Sequence, residues 1–515
     1  MLKREVRFGV VCWLVVGVIV LALGCDSGQS IKGRNRPVEM PSEPLIDTAT
    51  ATPLFDGWPK PTLAIVLTGQ QLGFLEPCGC SETQSGGLSR RADLFRQMND
   101  RGWTVTAFDL GGTIKRNREQ SRWKFQTTLA ALNDLQYQAL TLGPQELQFG
   151  PYFLLSQQKI PDADSTLTLL GANTVLLGDA NLGTPKHSKL VQLGSVKIGV
   201  TAVIGLSYKN RILQNGIDQD IAIENPLSVL PQVVQQLQAQ KPDLMILLSH
   251  ASLDESKQLA RKIPEFDLIL SAGGPEDPLT DNPKYVDRTM LATVGHKGKY
   301  VGVVGFYPGD VKDRLRFELV DLDHNRFHDS TMMISHMRFY QEQLQDLDLA
   351  AEELPIKHPK GAKFVGAEKC GECHTKAYDK WKSTPHAHAY ESLDPVNERH
   401  GYERLKGIAR IYDAECLSCH VTGWHPQDVL RYESGFIKKQ KTPHLLGNQC
   451  ENCHGPGSRH VDLVEADDVD KAINEMRVTL EQAKQDLCYE CHDLDNSPHF
   501  EFDSYWEQVK HPWID

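Results

Sequence analysis

Four short segments near the C-terminal end of the chain share the pattern Cys-x-x-Cys-His. Two thiols at this spacing can each add across one vinyl group of a haem, and the histidine that follows is then held beneath the iron as its proximal ligand. Zinc sites also use Cys-x-x-Cys pairs, but they require no particular residue after each pair. The pattern therefore predicts four covalently attached c-type haems. The predicted attachment cysteines are Cys370, Cys373, Cys416, Cys419, Cys450, Cys453, Cys488 and Cys491, and the proximal ligands are His374, His420, His454 and His492.

The segment from Gly361 to the end of the chain is also rich in further histidines. It holds 12 of the 19 histidines, so eight remain once the four proximal ligands are assigned. A second imidazole makes haem iron six-coordinate and suits it to electron transfer. We therefore expect some of these eight residues to be distal ligands.

Residues 364–511 resemble the multihaem cytochromes c typified by the tetrahaem electron carrier of ammonia oxidisers. The resemblance rests on "FVGAEKCGECHTKAYDKWKSTPHAHA", "LLGNQCENCHGPGSRH" and "CYECHDLDNSPHFEFDSYWEQVKH". It implies that His386 and His460 are distal ligands, that His388 competes with His386, and that His511 is a further candidate. In that family one haem often lacks a distal protein ligand.

The preceding region, from about Leu63 to Leu322, alternates short apolar runs with helical segments. "LAIVLT", "VTAFDL", "VKIGVTAVIGL", "DLMILLS", "FDLILSA" and "YVGVVGFY" have the character of buried strands. Helical patterns such as "LSRRADLFRQMND" separate them, and this alternation predicts a layered α/β fold, a sheet sandwich flanked by helices. We expect a mostly α-helical, loop-rich haem domain to follow it.

This α/β region resembles the metallophosphoesterase domain of bacterial 5′-nucleotidases in "TGQQLGFL", "DLGGT", "LGPQELQFG" and "DLMILLSHASLDESKQLARKIPEFDLILSAGGP". The family reaction needs a pair of divalent metals held by Asp, Asn and His. At the family's ligand positions His250 remains. The other positions hold Gln70, Leu72, Gly112, Pro144, Gln145, Gly273 and Pro275. The resemblance therefore implies a phosphatase fold that has lost its dimetal centre.

Cys78 and Cys80 flank one glycine soon after the first predicted strand, and no histidine follows them. The spacing excludes a fifth haem site. Three interpretations stay open: a soft-metal site shared with His250, Glu146 or Asp109, a redox-active thiol pair, or a local disulfide that shapes the loop. A further metal in this region is thus one candidate cofactor.

The N-terminus reads as an export signal. Lys3, Arg4 and Arg7 precede an apolar run, Val10–Leu23, and "LALGC" resembles a lipoprotein signal whose Cys25 is lipidated. The alternative is an uncleaved signal anchor. Either predicts a periplasmic or cell-surface protein held at a membrane.

Changes in composition along the chain predict its domain organisation. The predicted segments are a signal peptide (1–25), a flexible tether (26–60), a 5′-nucleotidase-like α/β domain (61–335), a helical linker (336–360) and a tetrahaem cytochrome c domain (361–515). A formal charge of −12 argues against a nucleic-acid partner.

These features favour an exported electron-transfer protein that exchanges electrons with redox donors and acceptors, either proteins or small molecules. Three alternatives stay open. One is an oxidoreductase that acts on a small nitrogen or sulfur compound at an open haem or at Cys78 and Cys80. The second is a 5′-nucleotidase-type phosphoesterase, and the third is a module that docks a partner protein.

Overall fold

The computed structural model describes residues 53–77, 84–157, 167–180, 182–213, 220–309, 314–396 and 405–511. Cys25, Cys78 and Cys80 lie outside the described residues. Within the described ranges, no helix is both long enough and apolar enough to cross a membrane.

The strands are numbered in chain order. They are β1 (Leu63–Thr68), β2 (Val105–Asp109), β3 (Tyr137–Thr141), β4 (Thr168–Leu170), β5 (Thr174–Leu176), β6 (Ser188–Leu193), β7 (Val196–Ile204), β8 (Ile221–Ile223), β9 (Leu244–His250), β10 (Leu268–Ser271), β11 (Lys284–Val286), β12 (Thr289–Ala292), β13 (Tyr300–Phe306), β14 (Leu315–Asp321), β15 (Trp424–His425) and β16 (Leu430–Arg431).

The α-helices follow the same order. They are α1 (Leu88–Asp100), α2 (Glu119–Asp134), α3 (Pro144–Leu147), α4 (Pro151–Ser156), α5 (Lys209–Leu213), α6 (Pro226–Gln238), α7 (Leu253–Lys262), α8 (Thr331–Asp346), α9 (Leu349–Glu352), α10 (Ala367–Gly371), α11 (Thr375–Lys382), α12 (Ala414–His420), α13 (Cys450–His454), α14 (Ser458–Glu465), α15 (Val469–Met476), α16 (Leu480–Gln482) and α17 (Phe502–Val509).

Two six-stranded sheets form the α/β part. Their strand orders are β14-β13-β1-β2-β3-β4 and β11-β12-β10-β9-β7-β6. The central strands of each sheet are parallel, and antiparallel strands lie at the margins. The carboxyl ends of β1, β2 and β3 therefore meet at one edge of their sheet, and those of β9 and β10 meet at one edge of the other. These edges are where open α/β folds place ligands.

The core explains why the apolar runs form strands. In β1, alternate residues point to opposite faces: Leu63, Ile65 and Leu67 belong to the layer between the two sheets, whereas Ala64 and Val66 pack beneath the helices. A strand that is buried on both faces must be apolar throughout, which is the pattern of "LAIVLT". The predicted sheet sandwich flanked by helices is confirmed.

Helix α8 closes the outer face of the first sheet. Its Met333, Tyr340 and Leu344 are buried in the same cluster as the residues of α1 and α2. The boundary predicted at residue 335 therefore falls within one helix. The C-terminal part that follows consists of short helices, 3₁₀ turns and one small two-stranded sheet, β15 with β16.

Candidate haem sites and the cavity of the α/β domain

Each Cys-x-x-Cys-His segment lies on or beside a short helical turn. The backbone amide of His374 donates to the carbonyl of Cys370 over 2.9 Å, and that of His492 donates to Cys488 over 2.9 Å. Side chains three and four residues apart share one face of such a turn. The local fold therefore presents two thiols and one imidazole together, as covalent attachment of a haem requires.

Three of the four predicted proximal histidines face a second histidine from a distant part of the chain. The ring centroids of His374 and His460 are 6.2 Å apart, those of His386 and His492 are 5.9 Å apart, and those of His454 and His511 are 5.9 Å apart. Two imidazoles that ligate one metal from opposite sides, through bonds of about 2.0 Å, have centroids about 6 Å apart. The spacing of these pairs therefore fits an iron between the rings.

The hydrogen bonds of these histidines leave one ring nitrogen for a metal. Nδ1 of His454 lies 2.6 Å from the carbonyl oxygen of Met476, and Nδ1 of His460 lies 2.9 Å from that of Ala472. Nδ1 of His492 lies 2.8 Å from the hydroxyl of Ser497. A partner at Nδ1 orients the ring and directs Nε2 toward the metal.

Metal ligation requires the neutral form of a histidine, and burial disfavours the charged form of three of the paired histidines. It lowers the pKa of His386 to about 4 and also lowers the pKa of His454 and of His492. His388, the competitor of His386, has its Nδ1 3.1 Å from a carboxylate oxygen of Glu391.

The remaining predicted proximal ligand is His420. Its Nδ1 lies 2.7 Å from the carbonyl oxygen of Ala389 and 3.1 Å from the hydroxyl of Ser392. The side chain is thus oriented by the segment that follows His386 in the chain.

The attachment sites lie in two neighbouring pairs. The thiol of Cys370 lies beside that of Cys450, and the thiol of Cys419 lies beside that of Cys491. The first predicted site is therefore beside the third, and the second is beside the fourth. Sequence order did not indicate this pairing.

The helix that carries the second site rests on the α/β part. Glu415 pairs with Lys124, and its other carboxylate oxygen lies 3.7 Å from the guanidinium of Arg116. The side-chain amide of Gln120 donates to Asp413 over 2.6 Å. Burial acts to lower the pKa of Lys124, but the charges of Glu415 and Asp413 outweigh it and raise that pKa. Lys124 is therefore a buried cation at the base of helix α12.

A second feature is a cavity of about 430 Å³ at the carboxyl ends of the central strands. Its walls come from both sheets and from the turns that follow them, as the fold predicts for a ligand site. The residues that line it are Gln70, Leu72, Lys115, Pro144, Gln145, Tyr208, Arg211, His250, Ser252, Leu253, Ala272, Gly273, Gly274 and His296.

The cavity brings together most of the positions at which the sequence departs from the 5′-nucleotidase pattern. A Cβ atom at Gly112 would lie 2.2 Å from Oε1 of Gln70, and one at Gly273 would lie 2.1 Å from the backbone nitrogen of Leu253. Neither position can hold an aspartate or a histidine without displacing its neighbours. No carboxylate is among the described residues that line the cavity.

His250 is buried at the wall of this cavity. Its Nδ1 lies 2.9 Å from the carbonyl oxygen of Leu110, and its ring meets that of Tyr208 edge to face at 5.5 Å. Burial lowers the pKa of His250 to about 4, so the ring is neutral at physiological pH.

Asp109 and Glu146 have partners other than a metal. Asp109 accepts a hydrogen bond of 2.5 Å from Thr68 and lies 3.9 Å from the guanidinium of Arg91. Glu146 accepts from the backbone amide and hydroxyl of Thr113, at 2.5 and 2.6 Å. Burial raises the pKa of both carboxyl groups. Throughout the described ranges, no three His, Cys, Asp or Glu side chains converge in the way that a metal ion requires.

The contact of Arg91 with Asp109 emerges only from the fold. Arginines at the start of a surface helix usually solvate it, yet Arg90 and Arg91 are 7% and 1% exposed. A glycine-flanked turn followed by paired arginines was the available signal. That signal does not name the partner, and the fold shows that Arg91 lies beside Asp109.

Comparison with known proteins supports the two-part description. The family model for cytochrome c554 and c-prime matches residues 369–455. Cytochrome c-554 of Nitrosomonas europaea is 37% identical over 99 residues, which are 19% of this chain and 40% of the relative.

The α/β part has relatives of another kind. An apyrase of Aedes albopictus is 29% identical over 154 residues, which are 29% of this chain and 26% of the relative. The chain thus covers less than half the length of either curated relative. A 5′-nucleotidase precursor from Thermus thermophilus has a TM-score of 0.47 at 19% identity, over 55% of this chain and 59% of that one. The C-terminal part of the chain is therefore similar to cytochromes of the c554 family, and the N-terminal part is similar to 5′-nucleotidases and apyrases.

Proposed function

We propose that this protein is an exported, lipid-anchored tetrahaem cytochrome c that transfers electrons, and that its phosphatase-like domain has no dimetal centre. The observation that carries the proposal is the set of three histidine pairs. Each joins a predicted proximal ligand to a remote histidine at a spacing of 5.9–6.2 Å. Paired imidazoles suit iron to electron transfer rather than to substrate binding.

The roles of the residues follow from their positions. The eight cysteines of the four motifs would hold haem covalently, and His374 with His460, His386 with His492, and His454 with His511 would ligate iron. Bound haem supplies a reversible one-electron couple. The protein holds the sites close together, as the thiol contacts between the first and third sites and between the second and fourth support.

The α/β domain has a supporting role in this proposal. Gln70 fills the space beside Gly112, and the cavity lining offers no carboxylate, so a pair of divalent metals lacks ligands there. The contact between Lys124 and Glu415 instead makes the domain a support for helix α12.

Spectroscopy of the purified holoprotein tests the proposal. We expect its mass to include four haems, and electron paramagnetic resonance to show low-spin signals for the three paired sites. We also expect rapid electron exchange with a soluble c-type cytochrome. Fewer than four haems would refute the tetrahaem assignment. A high-spin signal that changes with nitrite, hydroxylamine or sulfite, together with turnover of that compound, would favour an oxidoreductase.

Two further measurements test the remaining parts. Phosphate release from nucleotides in the presence of manganese, zinc or calcium would contradict the loss of the dimetal centre. For the lipid anchor, a Cys25→Ala variant should leave the membrane fraction while the parent protein stays in it. A variant that remains membrane-bound would favour an uncleaved signal anchor.

A further inference from the structure

We propose that the cavity of the α/β domain binds, without a metal, an oxyanion that carries a proton, such as hydrogen phosphate or bicarbonate. This goes beyond electron transfer and does not depend on the haems. It shares with the proposed function only the premise that the cavity works without metal ions, and a chelator tests that premise separately.

The charge of the lining favours an anion. Lys115 and Arg211 contribute cationic groups to the cavity, and neither forms an ion pair with any carboxylate in the described part of the chain. Arg211 also acts electrostatically on His250, which places its charge near the wall of the cavity. A site for divalent metals would need the opposite charge.

The imidazoles that line the cavity favour an anion that carries a proton. The ring of His250 meets the carbonyl of Leu110 through Nδ1 over 2.9 Å, and the ring of His296 lies beside the carbonyl of Ala272. A carbonyl only accepts, so each ring presents its N–H to it, and the other nitrogen of a neutral ring is an acceptor. An anion without a proton cannot satisfy such an acceptor.

Glu276 acts electrostatically on His296, but it pairs with Lys297 and Lys299. Glu415 acts electrostatically on Lys115, but it pairs with Lys124. Two other carboxylates near the cavity are held by hydroxyl groups. Glu255 accepts hydrogen bonds from Ser207, at 2.5 Å to the hydroxyl, and from Ser252. Glu146 is bound by Thr113. Neither residue is among the described residues that line the cavity.

Two classes of group therefore face the same space of about 430 Å³. Lys115 and Arg211 recognise negative charge, and His250 with His296 recognise a hydrogen-bond donor. Cavities of this size hold small ligands. Hydrogen phosphate and bicarbonate satisfy both requirements, whereas sulfate and nitrate meet only the first. Hydrogen phosphate can therefore be compared with sulfate, and bicarbonate with nitrate.

Isothermal titration of the holoprotein at pH 7 in the presence of EDTA tests the inference, with hydrogen phosphate against sulfate and bicarbonate against nitrate. We expect the proton-bearing member of each pair to bind at least about tenfold more tightly, because an unpaired buried acceptor penalises the other member. Anion binding that is seen without EDTA and absent with it would contradict binding without a metal. Equal affinities within each pair would overturn selection for a proton.

Variants localise the site. Arg211→Gln and Lys115→Gln should each weaken binding of hydrogen phosphate about tenfold. Arg261→Gln is the matched control, because Arg261 lies at the far end of α7 from Ser252 and Leu253. His296→Phe should reduce the preference for hydrogen phosphate over sulfate. The anion would bind elsewhere if Arg211→Gln and Lys115→Gln left its affinity unchanged. The same conclusion would follow if Arg261→Gln weakened binding as much as they do.

Discussion

His374 and His460 face each other with their ring centroids 6.2 Å apart, although helices α11, α12 and α13 intervene between them in the chain. The same relationship holds for His386 with His492 and for His454 with His511. Each pair joins one histidine of a haem motif to one that no local motif marks.

Replacement of one distal residue should change a single haem. We expect His386→Ala to convert one low-spin signal to high-spin and to leave the haem content unchanged, because the cysteines remain. His388→Ala is the matched control, since His388 contacts Glu391. Electron paramagnetic resonance measures both variants. A spectral change in His388→Ala, with none in His386→Ala, would reverse the assignment.

Lys124, the buried cation beneath the second predicted haem site, should affect both the stability of the protein and the reduction potential of that haem. We expect Lys124→Gln to lower the free energy of unfolding by about 2 kcal/mol, because it removes the buried partner of Glu415 at the base of α12 and leaves only the longer contact with Arg116. It should also lower the potential of one haem, since a positive charge disfavours the oxidised iron.

Thermal unfolding and a spectroelectrochemical titration check this prediction. Lys471→Gln serves as the control, because the pair of Lys471 with Asp468 is exposed and surface ion pairs contribute little to stability. If Lys124→Gln behaved like Lys471→Gln in both measurements, the contact would have neither role.

The close packing around Gly273 makes a quantitative prediction. Gly273→Ala should destabilise the protein by about 1–3 kcal/mol, because the added Cβ would lie 2.1 Å from the backbone nitrogen of Leu253. Gly309→Ala should have little effect, since no atom lies within 4 Å of its added Cβ. Denaturant unfolding measures the free energy of unfolding of the two variants. Equal values would show that the neighbours of Gly273 can move to accommodate the added Cβ atom.

His250 should contribute a pH-dependent loss of stability. The unfolded chain takes up a proton near pH 6.5, whereas burial lowers the pKa of His250 in the folded protein to about 4. Its contribution therefore destabilises the folded state progressively as the pH falls through this window. Asp109 and Glu146 have the opposite effect on stability. Burial raises their pKa, so the folded protein binds their protons at a higher pH than the unfolded chain does.

A comparison with His250→Gln isolates the histidine from these carboxyl groups. We expect the melting temperature of the parent protein to fall more steeply than that of the variant between about pH 6.5 and pH 4. Parallel curves would mean that His250 takes up its proton at the same pH in the folded protein as in the unfolded chain.

The strands of the α/β part show how far local pattern carries. The runs around β1, β2, β7, β9, β10 and β13 were predicted because strands buried on both faces are continuously apolar. The edge strand β6, "SKLVQL", was not, because only one of its six residues is buried and its pattern is set by its neighbours. Arg90 and Arg91 are buried for a related reason, since the segments that cover them, around α8 and after β14, come from later in the chain.

The sequence by itself determined the haem-attachment motifs and the departures from the phosphatase pattern. Both are local: one helical turn brings two thiols and an imidazole together, and a Gly or Pro cannot act as a side-chain ligand wherever it lies. Tertiary structure decided which histidines face one another, that Cys370 meets Cys450, and that Lys115, Arg211, His250 and His296 share one cavity. These contacts join segments far apart in the chain. The packing of sheets and helices sets the distances between them, and spacing along the sequence does not.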